Sequence, residues 1–191
     1  MKLGAIAFSV SVLAVFSLSA WGQDVSLNVG DKAPTFEALD DTGKPWKSSD
    51  HVGKKIVVVY FYPADCTGGC TKQAQGYRDD MKVLAEKGVE VIGVSGDTAK
   101  NHELFKKQQN LNFALLADTD GKVAKAFGVP HTLGEKSVKA TIGGEEFTLT
   151  RTATAQRWTF VIGKDGKIIS KNDKVTAAED SKAILKLIDT K

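Results

Sequence analysis

The chain has 191 residues, with 26 Lys and Arg against 23 Asp and Glu, a formal net charge of +3, and 42% hydrophobic residues. That length gives one domain room for a real core. Lysines are interspersed with acids throughout, and the absence of a basic stripe or of basic–aromatic interleaving argues against a nucleic-acid partner.

From the N-terminus, Lys2 supplies a short positive region, and Leu3 to Leu18 is apolar apart from small residues and serines. Ala20-Trp21-Gly22 then places small residues at the −3 and −1 positions of a cleavage site before Gln23. The apolar run is too short and too serine-rich for a comfortable membrane span. The expectation is therefore a cleaved secretory signal over residues 1–22 and a single domain over 23–191, with an uncleaved anchor as the alternative. Such a chain is exported, to a periplasm or beyond, and has no membrane attachment after cleavage. No Cys follows the apolar run, which leaves no site for N-terminal lipid attachment.

Gln23 to Lys32 is a polar lead-in. Ile56 to Tyr62 is a continuous β-branched and aromatic run, expected for a strand buried on both faces of a sheet, and it stops at Pro63. From Gly69 to Lys87 the spacing becomes helical, with Ala74, Tyr77, Met81, Leu84 and Ala85 on one face and Gly88 placed to end the helix. Val89 to Val94 predicts a strand, Thr98 to Gln109 a helix, Phe113 to Leu116 a short strand and Gly121 to Phe127 a short helix. His131 to Gln156 is polar and Thr-rich. Within it Ser137 to Thr150 predicts a surface hairpin around Gly143-Gly144, taken as an elaborated connection rather than a flap over a site. Trp158 to Ile162 and Lys167 to Ser170 flank a hairpin signal at Gly163-Lys164-Asp165-Gly166. Thr176 to Ile188 predicts a closing helix, opened by the capping box Thr176-Ala177-Ala178-Glu179. Strands alternating with helices describe a layered α/β domain.

The two cysteines, Cys66 and Cys70, would close a very small loop, so a structural bridge between them would stabilise weakly. A redox or metal role gains weight accordingly. Cys70 falls where a buried strand has ended and a helix begins. There the unpaired N–H groups and the positive end of the dipole favour the thiolate, which is the nucleophile. Thr67, one turn upstream, offers a hydroxyl to the sulfur or to an oxygen of an incoming ligand. Pro63 shapes the loop, and Gly68 and Gly69 let the backbone approach a small ligand.

Pro63-x-x-x-Thr67-x-x-Cys70 resembles the active-site signature of peroxiredoxins, and its surroundings are similar to the bacterioferritin-comigratory or Q-type branch. The resemblance runs from about Val29 to the C-terminal helix and takes in Tyr77-Arg78-Asp79, the run from Asn112 to Asp118, Phe127-Gly128-Val129 and Arg157 to Ile162. It implies a thioredoxin-like fold: α/β, a central mixed β-sheet flanked by helices, with a surface hairpin insertion. It places the family's catalytic arginine on Arg157, where a guanidinium favours the thiolate and polarises the O–O bond. Gln73 occupies a position where the family carries Glu or Gln, and is expected to orient Arg157. The implied activity is a thiol-dependent peroxidase of antioxidant defence, acting on hydrogen peroxide and organic hydroperoxides through a sulfenic acid on Cys70. A thioredoxin-like protein or a small thiol serves as reductant, no metal or organic cofactor is required, and the branch leans toward monomers.

The chain departs from the branch at Gln75, where many members carry a resolving cysteine. Three routes stay open: Cys66 resolves Cys70 after the first helical turn unwinds; the enzyme is of the one-Cys kind; or Cys66 pairs with Cys66 of a second subunit. The rival function is a copper-binding assembly protein of the Sco type, which also carries a Cys-x-x-x-Cys pair in a thioredoxin fold and adds a downstream histidine. Here His131 lies far upstream of the Arg157 strand, and His51 and His102, in polar settings, are expected at the surface. A disulfide oxidoreductase would carry Cys-x-x-Cys, one residue shorter. An inactive binding module would be expected to have lost Thr67 or Arg157.

Overall fold

The computed structural model describes residues 26–190, so the signal read at 1–22 lies outside the described residues. In chain order the elements are β1 (Glu37–Asp40), β2 (Pro45–Lys47), β3 (Ile56–Phe61), α1 (Gly68–Glu86), β4 (Val89–Ser95), α2 (Ala99–Gln109), β5 (Ala114–Ala117), α3 (Lys122–Ala126), β6 (His131–Ile142), β7 (Glu145–Ala155), β8 (Trp158–Ile162), β9 (Ile168–Asn172) and α4 (Asp180–Asp189). A seven-stranded sheet runs β2-β1-β5-β4-β3-β8-β9, and β6-β7 forms a separate two-stranded sheet.

β3 sits centrally, parallel to β4 and antiparallel to β8. Because side chains alternate across a strand, its two faces feed two cores. Val57, Val59 and Phe61 pack with Phe127, just past α3, and with Phe160 of β8. Val58 and Tyr60 pack with Ala74, Tyr77 and Leu84 of α1, Phe105 of α2 and Ile184 of α4. This double burial explains the unbroken apolar run. Gly93 of β4 lies beneath the Tyr60 ring, where a Cβ would come within 2.7 Å of it. Past the last residue of α1 and its C-cap Lys87, Gly88 turns the chain away at a φ of +72°. α2 is capped by Thr98, whose hydroxyl accepts from the Asn101 N–H at 3.2 Å.

Three features differ from the sequence reading. β1 and β2 carry no signal strong enough to name; they pair with each other and extend the sheet from β5. The final helix starts at Asp180 rather than Thr176, and its start has no side-chain cap. Thr176 to Glu179 forms a turn closed by the Glu179 N–H donating to the Thr176 carbonyl at 2.9 Å, and buried contacts of Asp180 fix where the helix begins. The hairpin is longer than expected, with pairs from His131↔Ala155 to Ile142↔Glu145 around Gly143-Gly144, both at positive φ. β7 crosses the end of β4 so closely that a Cβ on Gly96 would lie 2.0 Å from the Ala153 carbonyl oxygen.

Candidate active site

β3 delivers Tyr62 and Pro63 to the loop that enters α1, and Cys70 is the third residue of that helix. The helix start has no acidic residue and no side-chain cap, so its partial positive charge is not neutralised locally. Thr67 stands at the N-cap position, but its hydroxyl donates to the Ala64 carbonyl at 3.0 Å and not to sulfur. Cys70 itself is 1% exposed and packs in the core beneath α1.

Arg157 immediately precedes β8, the strand paired with β3, and reaches Cys70 at the start of α1. Its Nη2 donates to Cys70 Sγ at 3.1 Å, and its Nη1 donates to Gln73 Oε1. Gln73, one turn past Cys70, is fully buried and donates through Nε2 to Asp180 Oδ2 at 2.7 Å. The same oxygen accepts from Tyr77 and Thr159, each at 2.7 Å. Burial and the Asp180 carboxylate push the Tyr77 phenol well above its ordinary value, so it remains a donor. The guanidinium is thus aimed by a chain of buried groups: Asp180 fixes Gln73, and Gln73 fixes Arg157. At Gly69 a Cβ would lie 3.4 Å from Arg157 Nη2, an ordinary contact, so the helix start passes close beneath the guanidinium without requiring a glycine there. A cleft of about 630 Å³ opens beside these groups, with Pro63, Arg157, Lys174 and the roots of the hairpin at Thr132 and Thr154 in its walls. A larger hollow of about 740 Å³ lies between the β1–β2 turn and α2 and holds none of the predicted site residues.

Cys66 occupies the same loop in a different setting. It is half-buried at a left-handed φ of 56°, and its thiol donates to Gln108 Oε1 of α2 at 3.3 Å. Burial, then the Asp65 and Asp97 carboxylates, push its thiol up to about 12. Both cysteines are free thiols.

His102 corrects a sequence expectation. It is fully buried, and its Nδ1 pairs with Asp65 Oδ2 at 2.8 Å. Asp65 is buried too; its other oxygen accepts from the Tyr62 hydroxyl at 2.7 Å, and its N–H donates to Asp97 Oδ2 at 3.0 Å. Burial alone would lower the His102 pKa, but Asp65 and Asp97 outweigh it and leave the value raised. Of its polar neighbours in sequence, Lys100 and Glu103 are exposed while Asn101 is buried with it, so the polar setting reflects only one face of α2. His51 is also not simply exposed, being half-buried between the Trp46 ring and Glu90. His131 Nδ1 donates to the Val129 carbonyl at 3.0 Å. No group of three or more His, Cys, Asp or Glu side chains converges on a metal position among the described residues, so the copper-binding alternative at Cys66 and Cys70 finds no third ligand. Asp65, Asp97 and Asp180 were the site-supporting groups missed in the sequence. Of these only Asp65, inside the Pro63–Cys70 signature, stood where a signal could have been sought.

The AhpC/TSA family model matches residues 29–171. Peroxiredoxin Bcp of Bacillus subtilis (strain 168) is 39% identical over 151 residues, 79% of this chain and 88% of that one. Chloroplastic peroxiredoxin Q of Sedum lineare is 46% identical over 104 residues, 54% of this chain and 55% of its own length. Among solved structures, peroxidoxin BcpB from Mycobacterium tuberculosis superposes with a TM-score of 0.70 at 30% identity, covering 86% of this chain and 97% of that one.

Proposed function

The chain belongs to the AhpC/TSA family, as a peroxiredoxin of the Bcp and Q type, and we propose that its thiol peroxidase activity runs through Cys70. The observation that carries this assignment is the 3.1 Å contact between Arg157 Nη2 and the Cys70 sulfur at an uncapped helix start. The Cys70 thiolate attacks the terminal peroxide oxygen, forming an S–O bond as the O–O bond breaks. The departing oxygen takes up a proton and leaves as water or an alcohol, and Cys70 becomes sulfenic acid. Negative charge moves from sulfur to the leaving oxygen along this path. A guanidinium fixed by Gln73 stabilises both ends without having to reorganise. No resident metal or organic cofactor enters the sequence of steps.

For the second half of the cycle, Cys66 attacks the sulfenic acid, water leaves, and a 66–70 disulfide forms that a thioredoxin-type dithiol reduces. The support is local: Cys66 shares the active-site loop, while Gln75 leaves no thiol at the branch's common resolving position. Mass spectrometry after one equivalent of peroxide tests this step; wild type shows the 66–70 disulfide, and Cys66→Ser stops at sulfenic acid. Absence of that disulfide in wild type would remove Cys66 from the cycle. We further propose that the protein is exported and acts as a monomer. The N-terminal sequence pattern supports export, which mass analysis of the mature N-terminus checks by its start at Gln23. Light scattering checks the monomer.

A further inference from the structure

We propose that Gln108 is a positioning residue that latches Cys66 in the reduced enzyme, and that the β6–β7 hairpin sets the latch. The inference rests on Cys66 as the resolving thiol, and goes beyond it by naming what restrains that thiol.

The loop that carries Cys66 is held at two adjacent residues. Asp65 is clamped in the interior by Tyr62, His102 and Asp97. Cys66, in a backbone conformation unfavourable for an L-residue, is held by its thiol on Gln108 Oε1. Gln108 is not free to turn. Its Nε2 donates to the Thr141 carbonyl near the hairpin tip at 2.8 Å, and its Oε1 also accepts from Gln109 Nε2 at 3.1 Å. Gln109 in turn accepts from Gln75 at 2.8 Å. A run of side-chain amides therefore joins Gln75 to the thiol of Cys66. Rotating the Gln108 amide would break its bonds at both ends.

The hairpin also touches the other clamp. Asn101 Nδ2 donates to Asp97 Oδ1 at 3.2 Å and to the Thr150 carbonyl of β7 at 2.9 Å. One element thus braces both the Asp65 and the Cys66 attachments, which a passive connection has no reason to do.

The chemical consequence is directional. A thiol that donates to an amide oxygen keeps its proton and is a poor nucleophile, and burial, then the carboxylates of Asp65 and Asp97, reinforce that state. For Cys70–SOH and HS–Cys66 to yield the disulfide and water, Cys66 must leave Gln108, lose its proton and turn toward the sulfenic acid. The latch holds the enzyme ready for peroxide and delays resolution until the loop opens.

The test measures Cys66 directly in a Cys70→Ser background, by its alkylation rate with iodoacetamide. Gln108→Ala is expected to raise that rate about fivefold, the factor that one neutral hydrogen bond is worth. A hairpin shortened by deleting Ala140-Thr141 with their register partners Glu146-Phe147 should do the same. With both cysteines present, Gln108→Ala should speed formation of the 66–70 disulfide after a peroxide pulse while leaving the oxidation rate of Cys70 unchanged. A merely structural defect would slow Cys70 oxidation as well. An unchanged or slower alkylation rate in both variants overturns the latch. A raised alkylation rate without any 66–70 disulfide supports the latch and removes Cys66 as the resolving thiol.

Discussion

Arg157 divides its two terminal nitrogens between the Cys70 sulfur and Gln73, and that division makes a lysine a poor substitute. A single ammonium cannot hold both positions in a fixed plane. Arg157→Lys is expected to lower the second-order rate constant for peroxide by about 10²-fold, the loss typical of removing one preorganised transition-state donor. Stopped-flow tryptophan fluorescence checks this. Asp180 acts one step further out. Asp180→Ala strands the buried donors of Gln73, Tyr77 and Thr159, at about 1–3 kcal/mol for each orphaned group, and releases Gln73 from its setting. Denaturant unfolding and peroxide kinetics on that variant should both show losses. Cys70, Thr67, Pro63, Gln73 and Arg157 were legible because they fall in a compact motif or a recognisable strand start. Asp180 was not, since its role exists only once α4 docks against α1, 107 residues from Gln73.

At the scale of elements, periodicity located the strands and helices that bury a face. The unbroken β3 run and the 3.6-residue spacing of α1 reflect burial directly. It missed β1 and β2, which are short and cover the sheet with only Ala38 and Trp46 turned inward. It placed the start of α4 too early because local capping chemistry at Thr176 was outweighed by the buried contacts of Asp180. The hairpin's turn was legible in Gly143-Gly144, but not its bracing of α2, which depends on backbone contact at Gly96. Gly96→Ala would drive a Cβ into the Ala153 carbonyl and must displace β7. It is expected to cost about 1–3 kcal/mol in denaturant unfolding, as overpacking does.

At the scale of the whole molecule, the buried Asp65–His102 pair ties the active-site loop to α2 and couples stability to pH. The His102 pKa is raised above its ordinary 6.5 in the folded chain. Its contribution is therefore fully present below about pH 6.5 and is lost as pH rises through the raised value. Asp97, raised above 3.8 by burial and then by Asp65, works in the same direction, because the folded chain again holds the extra proton. His102→Gln leaves Asp65 buried without its partner, at about 3–5 kcal/mol near neutral pH. The stability gap between wild type and this variant should narrow from pH 6 to pH 9 in urea titrations. A gap that widens would mean that the pair is not charged as the geometry implies.

All of this depends on Cys70 as the thiol that meets peroxide. The most direct measurement is peroxide consumption with dithiothreitol as reductant, comparing wild type, Cys66→Ser and Cys70→Ser. The account predicts turnover by wild type, turnover by Cys66→Ser because dithiothreitol reduces the Cys70 sulfenic acid directly, and only the background rate from Cys70→Ser. Equal consumption by wild type and Cys70→Ser would contradict it.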